Sequence, residues 1–228
     1  GRRAWNSLGL PVTVMRTLSV HLCTVSVMVL WGLAGWPLHV YSQDVVTDQV
    51  TITSARGQLF GITSGEGIAR KVLASGEDVL VVETKGVTGY VQTTTRLLGF
   101  SGRLQRWVEM NLSSAEEVVT ATVTPRMIIV QGRQAAYGFQ SDLGRWKRDP
   151  WGAGELLVES IVNDYVAVLI TNRRALGFSA LTGGFFPQDL PSGNVIEQTE
   201  ANANIVVIHL SGLMLVFRSG LAVWMVLP

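Results

Sequence analysis

One cysteine and three histidines in 228 residues leave little material for thiol or imidazole chemistry. Cys23 lies inside the apolar run from Leu18 to Ala34 and leaves with that segment on cleavage, so the mature chain is expected to have no disulfide, no thiolate metal site and no cysteine nucleophile. His209 stands alone in the apolar run IVVIHL, and beyond the N-terminal region its only companion is His39. Neither has the spacing of a metal site or of a Ser-His-Asp set. Charged residues are 15% of the chain and the net charge is +1, which excludes the basic surface of a nucleic-acid binder. Gly65-Glu66-Gly67 is followed by no Gly-Lys-Ser/Thr and no helix, so it is not a phosphate loop. After residue 48 no apolar stripe runs at helical spacing. No cofactor and no metal are expected.

The N-terminal region has a different character. Residues 1–14 read as an upstream extension, because Met15 is followed by Arg16 and then by the apolar run. One positive charge, an apolar stretch and a small residue at its end make a signal peptide over residues 15–34, with cleavage after Ala34 or Ser42. Thr17 to Val40 is also long enough to stay as a membrane-anchoring helix. Either outcome places residues 35–228 in a secreted or periplasmic compartment, with the membrane touched only by an uncleaved segment.

What the sequence does have is a repeat. Leu59, Leu98, Tyr137, Leu176 and Leu215 stand 39 residues apart. Phe100, Phe139, Phe178 and Phe217 keep the same step, as do Trp107, Trp146, Phe185 and Trp224. Glu77, Glu116 and Glu155 form an acidic column whose fourth position is Asn194. Between these columns lie short runs such as YVAVLI and ALGFS, punctuated by glycine-bearing turns, the pattern of an all-β fold. Units of about 40 residues with four strands each predict a β-propeller. Residues 35–228 number 194, and five units of 39 need 195, so the expectation is a five-bladed ring. The aromatic columns are expected to pack between blades. Counted this way, the last unit ends after its third strand, and Val40 to Gln43 is expected to supply the fourth and close the ring, which favours cleavage after Ala34.

The unit from Val168 to Asn194, with its Thr182-Gly183 turn and the Gly76-Glu77 and Gly154-Glu155 pairs, is similar to the pyrroloquinoline-quinone-type propeller repeat. The second-strand aspartate of that family is replaced here by Ser101, Gln140, Ser179 and Arg218. The resemblance implies a propeller used as an envelope scaffold or binding protein, since a 39-residue unit without insertions has no room for the metal-binding loops of the quinone enzymes.

Two sets of residues are candidates for binding. Arg56, Arg96, Arg133, Arg173 and Arg174 fall at the ends of first strands and would form a basic rim suited to a carboxylate, phosphate or sulfate. The competing expectation pairs them with the glutamate column. Trp151, in Asp149-Pro150-Trp151-Gly152, is the candidate exposed aromatic, though its column is otherwise leucine. The opposite face, with Arg103, Arg126, Asp142 and Asp164 among others, reads as a plain solvated rim. The inner strands carry no acid pair for glycoside hydrolysis. Three functions follow: a non-enzymatic platform for protein partners in the cell envelope, a repeat lectin or anion binder of polysaccharide or small anions with one site per blade, and a hydrolase.

Overall fold

The computed structural model describes residues 49–228, apart from 66 and 194. The hydrophobic segment, both cleavage sites and Val40 to Gln43 lie outside the described residues. What is described is all-β: five antiparallel sheets, each a meander, built as the blades of a propeller are. The first has three strands, β1 (Val50–Ala55), β2 (Gln58–Thr63) and β3 (Ile68–Val72). The second has β4 (Val79–Lys85), β5 (Thr88–Thr93), β6 (Arg96–Ser101) and β7 (Arg106–Asn111). The third has β8 (Val118–Val123), β9 (Met127–Gly132), β10 (Ala135–Gln140) and β11 (Arg145–Pro150). The fourth has β12 (Leu157–Val162), β13 (Val166–Thr171), β14 (Arg174–Ser179) and β15 (Gly184–Asp189). The fifth has β16 (Ile196–Ala201), β17 (Ile205–Leu210), β18 (Leu213–Arg218) and β19 (Val223–Leu227).

This pairing shifts the phase of the repeat. β8 was expected to end the unit begun by β5, but it pairs with β9, and the last sheet is complete with β16 as its first strand. The three-stranded sheet is the first, not the last. Connection lengths explain the choice. Within each sheet the turns span two to four residues, whereas six residues, such as Leu112 to Glu117, lead from one sheet to the next. Short turns hold antiparallel neighbours together, and the longer connection steps across.

Middle strands such as VAVLIT in β13 are buried on both faces, which is why they read as unbroken apolar runs rather than alternating ones. In each four-stranded sheet the first strand carries a bulge, at Leu80, Val119, Val158 and Glu197, between residues whose pairing register shifts. The extra residue is turned out to solvent at Leu80, Val119 and Val158, and a bulged edge is a poor template for pairing with another chain.

A repeated knob and socket holds successive sheets together. Phe100 lies against Gly61, Phe139 against Gly99, Phe178 against Gly138 and Phe217 against Gly177. A Cβ at Gly138 would sit 2.3 Å from the Phe178 ring, so glycine is required by the close approach. Each phenylalanine is fully buried, a contribution of about 2–3 kcal/mol apiece. Its cross-strand neighbour stacks at a tilt, with centroids 4.9 Å apart for Phe100 and Trp107 and 5.0 Å for Phe217 and Trp224. The indole N–H groups of Trp107, Trp146 and Trp224 donate to carbonyls of the preceding sheet, at Ala69, Val108 and Phe186. Phe185 takes that column position in the fourth sheet and packs on Phe178.

The first sheet departs from the 39-residue step. Gly61 lies opposite Ile52 as Gly99 lies opposite Tyr90, a step of 38. One residue is lost in the turn after β2, where Ile62 pairs with Ile68 while Phe100 pairs with Trp107. Leu59 therefore corresponds to Leu97, and its distance of 39 from Leu98 is a coincidence of two neighbouring leucines. Among the described residues, hydrogen bonds join every sheet to the next but none joins the fifth to the first.

Candidate functional site

The turns leave the sheets on two faces. On one, the β5–β6 type of turn meets the six-residue connections, and here the glutamate column lies at the junctions between sheets. Glu77 is buried and receives Arg96 in a bidentate pair, with Nε and Nη2 each 2.7 Å from its carboxylate oxygens. The Thr93 hydroxyl donates to it at 2.6 Å and the Ala74 N–H at 2.7 Å. Burial alone would raise this carboxyl, but the Arg96, Thr93 and Ala74 donors outweigh it and hold Glu77 down at about 2. Arg96 also donates to Glu109, which Lys71 approaches from the first sheet at 2.7 Å. The fourth sheet repeats the arrangement: Arg174 lies 2.7 Å from Glu155 and 2.8 Å from Asp149 of the third sheet, and Thr171 donates to Glu155 at 3.0 Å. Glu155 too is held below the usual carboxylate range, where burial acts upward and Arg174, Gly152 and Thr171 act downward more strongly together.

The third sheet solves the same problem differently. The positions of Thr93 and Arg96 are taken by Gly132 and Ala135, 39 residues on. Glu116 instead accepts the Tyr137 hydroxyl at 2.6 Å and the Gln134 N–H at 2.9 Å. A Cβ at Gly132 would lie 2.4 Å from the Glu116 carboxylate, so the glycine opens the space into which the side chain turns. Tyr137 is the one aromatic in the Leu98, Leu176 and Leu215 column, and it stands where the arginine is missing.

The arginines singled out in the sequence thus separate. Arg96 and Arg174 are committed to carboxylates and carbonyls. Arg133 pairs with Glu117 at 3.0 Å, but both side chains are more than 60% exposed, and such a pair contributes about 0–1 kcal/mol. Arg56 occupies the β1–β2 turn with φ of 51°, and it and Arg173 make no ion pair among the described residues. Trp151 is partly buried against the cluster of Met127, Ile129 and Leu169, and its indole N–H donates to the Gly132 carbonyl at 2.9 Å.

The other face holds a cavity of about 550 Å³, formed by turns of the first four sheets. Its wall includes Gln49, Ser64, Arg103, Gln105, Arg126, Asp164 and Tyr165. Successive turns are tied together by backbone bonds from Gln49 to Gly86 and from Val87 to Pro125. Asp142 stands between two guanidinium groups, 2.8 Å from Arg126 and 3.2 Å from Arg103. Its buried Oδ1, the atom facing Arg103, receives no hydrogen bond. The Arg126 guanidinium lies 5.2 Å from the centre of the Tyr165 ring, within cation–π range. Gln105 has φ of 51° at a turn position that Gly144 and Gly183 fill in the next two sheets, and its side chain lies against Gly67.

This is the face read from sequence as a plain rim. Arg103 and Asp142 are 39 apart, a charge reversal within one repeat column, and Gln105 interrupts a glycine column. Those two irregularities were the available signals. Among the described residues no group of three or more histidine, cysteine, aspartate or glutamate side chains is placed to hold a metal.

No family model and no curated protein matches the chain, so the likeness to the pyrroloquinoline-quinone-type repeat rests on the residues quoted above. Among solved structures, the chain is similar to HIRA residues 644–1017, with 12% identity over 79% of this chain and 53% of that one and a TM-score of 0.37. It is similar to Kluyveromyces lactis Hsv2, with 11% identity over 78% and 60% and a TM-score of 0.36. It is also similar to the WD40 domain of Neurospora crassa Pan2, with 11% identity over 79% and 62% and a TM-score of 0.32. The chain spans 53% to 62% of the length of these three.

Proposed function

We propose that this chain is a non-enzymatic, five-bladed β-propeller of the secreted or periplasmic space that binds a protein partner through its cavity face. In this reading the ring closes between the fifth sheet and the first. The observation that carries the binding role is the cavity itself. It is of ligand size, built on short turns of four sheets, and presents Arg126, oriented by its hydrogen bond to Asp142, beside the more exposed Arg103. Unlike residues line it, so it does not recur once per sheet as a repeat lectin would require.

The test is affinity capture with the full chain at moderate salt, beside a Ser64→Trp variant. Ser64 is an exposed cavity residue, so the indole blocks the recess without disturbing the core. One protein retained by the parent and lost by the variant is the expected result. Equal retention by both would reject the cavity face as the binding surface.

A further inference from the structure

We infer that the cavity receives an extended peptide segment that places a single carboxylate side chain against Arg103 and Arg126. The inference rests on the protein-binding reading and specifies what the partner presents. Two guanidinium groups share one carboxylate, Asp142, so the set has one positive charge in excess. Arg103, with 60% of its side chain exposed, offers unused donors in the fork geometry that matches a carboxylate. The exposed Asp164 on the same wall balances that excess. Among the described residues the wall then carries no large positive field, which opposes a polyanion such as a phosphate chain or nucleic acid and leaves the free Arg103 donors as the local attraction for one carboxylate. The side-chain amides of Gln49 and Gln105 supply donors and acceptors of the kind a peptide backbone needs.

Gln105 adds an independent observation. A glutamine in the left-handed region is strained where glycine is not, and glycine occupies the same turn at Gly144 and Gly183. Ala222 keeps the same backbone geometry in the fifth sheet, so what sets Gln105 apart is its side chain on the cavity wall against Gly67.

The experiment pans a random heptapeptide library displayed on phage against the full chain. Enriched peptides are expected to share one Asp or Glu at a fixed position. Their affinity should fall about tenfold or more in Arg103→Ala and in Arg126→Ala, the size of a lost charged hydrogen bond, and stay unchanged in Arg133→Ala on the far face. Gln105→Gly should weaken binding while raising Tm, a combination that a purely structural residue does not produce. Arg103→Glu, at an exposed position that tolerates change, should select peptides lacking the acid. Failure to enrich any peptide, a consensus without an acid, or equal binding to Arg103→Ala would overturn the inference, and displacement by glutarate as tight as by the peptide would reassign the cavity to small acids. A protein partner held equally by the parent and Arg103→Ala, yet lost in Ser64→Trp, leaves the partner reading standing and removes this one.

Discussion

Arg96 and Arg174 each lie between two carboxylates, whereas on the opposite face Asp142 lies between two arginines. The chemistry of the two sets is the same and the stoichiometry is inverted. With two carboxylates around a nearly buried arginine, Nε and Nη2 of both Arg96 and Arg174 are taken up by carboxylates and carbonyls, and the set ties one sheet to the next. With two arginines around one acid, Arg126 takes the hydrogen bond to Asp142 and Arg103 keeps donors that face solvent. Ion pairs of one composition thus serve as a lock at one end of the strands and, in the proposed reading, as a recognition surface at the other.

The sharpest way to break this contrast is to remove one arginine from each set. In Arg96→Ala the Glu77 side chain, only 1% exposed, loses its bidentate partner, and a cost of about 3–5 kcal/mol is expected in urea unfolding. Arg126→Ala leaves Arg103 to serve Asp142 and should cost about 1 kcal/mol. Equal losses from the two variants would show that the lock and the recognition set are not different in kind.

Acid should open the lock next. The carboxyl of Glu77 is lowered from 4.5 to about 2 by folding, so its contribution is complete above pH 4.5 and disappears as the pH falls through 2. About 3 kcal/mol of stability is at stake across that window. Unfolding free energy measured against pH should show this slope in the parent and a flatter one in Glu77→Gln; parallel curves would count against the assignment.

The third sheet tests whether a hydroxyl replaces the arginine. Tyr137→Phe deletes the 2.6 Å bond to Glu116 and should cost about 1 kcal/mol, measurable as a lower urea midpoint with the same slope. A neutral result would mean that the Gln134 N–H suffices. Least in size, Ala222→Gly relieves a residue held at φ of 53° and should stabilise by about 0.5–1 kcal/mol. It has the backbone geometry of Gln105 without its cavity, so it separates strain from function, and no gain in Tm would remove strain as the reason to single out Gln105.

The competing expectation of arginine–glutamate pairing was legible because Glu77 and Arg96 recur as Glu155 and Arg174 at twice the repeat length. Its third-sheet variant was not, since Glu116 looks the same in sequence and only the placement of Gly132 and Tyr137 shows which donor it finds. The phase of the sheets was not legible, because turns of two to four residues and connections of six are told apart only once the strand ends are known. The one-residue loss after β2 was hidden because Leu97 and Leu98 are both buried leucines and either one continues the column.

The sequence alone determined the all-β class and the 39-residue period, because burying an aromatic on a glycine at each junction requires the same residues at the same spacing every time. Its single cysteine also leaves no second thiol for an intrachain disulfide. Only the tertiary structure decided which strands share a sheet, which carboxylate each arginine serves, and that Arg103, Arg126, Asp142 and Tyr165 converge. Those facts depend on how neighbouring sheets stack, and the turns that meet there are drawn from sheets far apart along the chain.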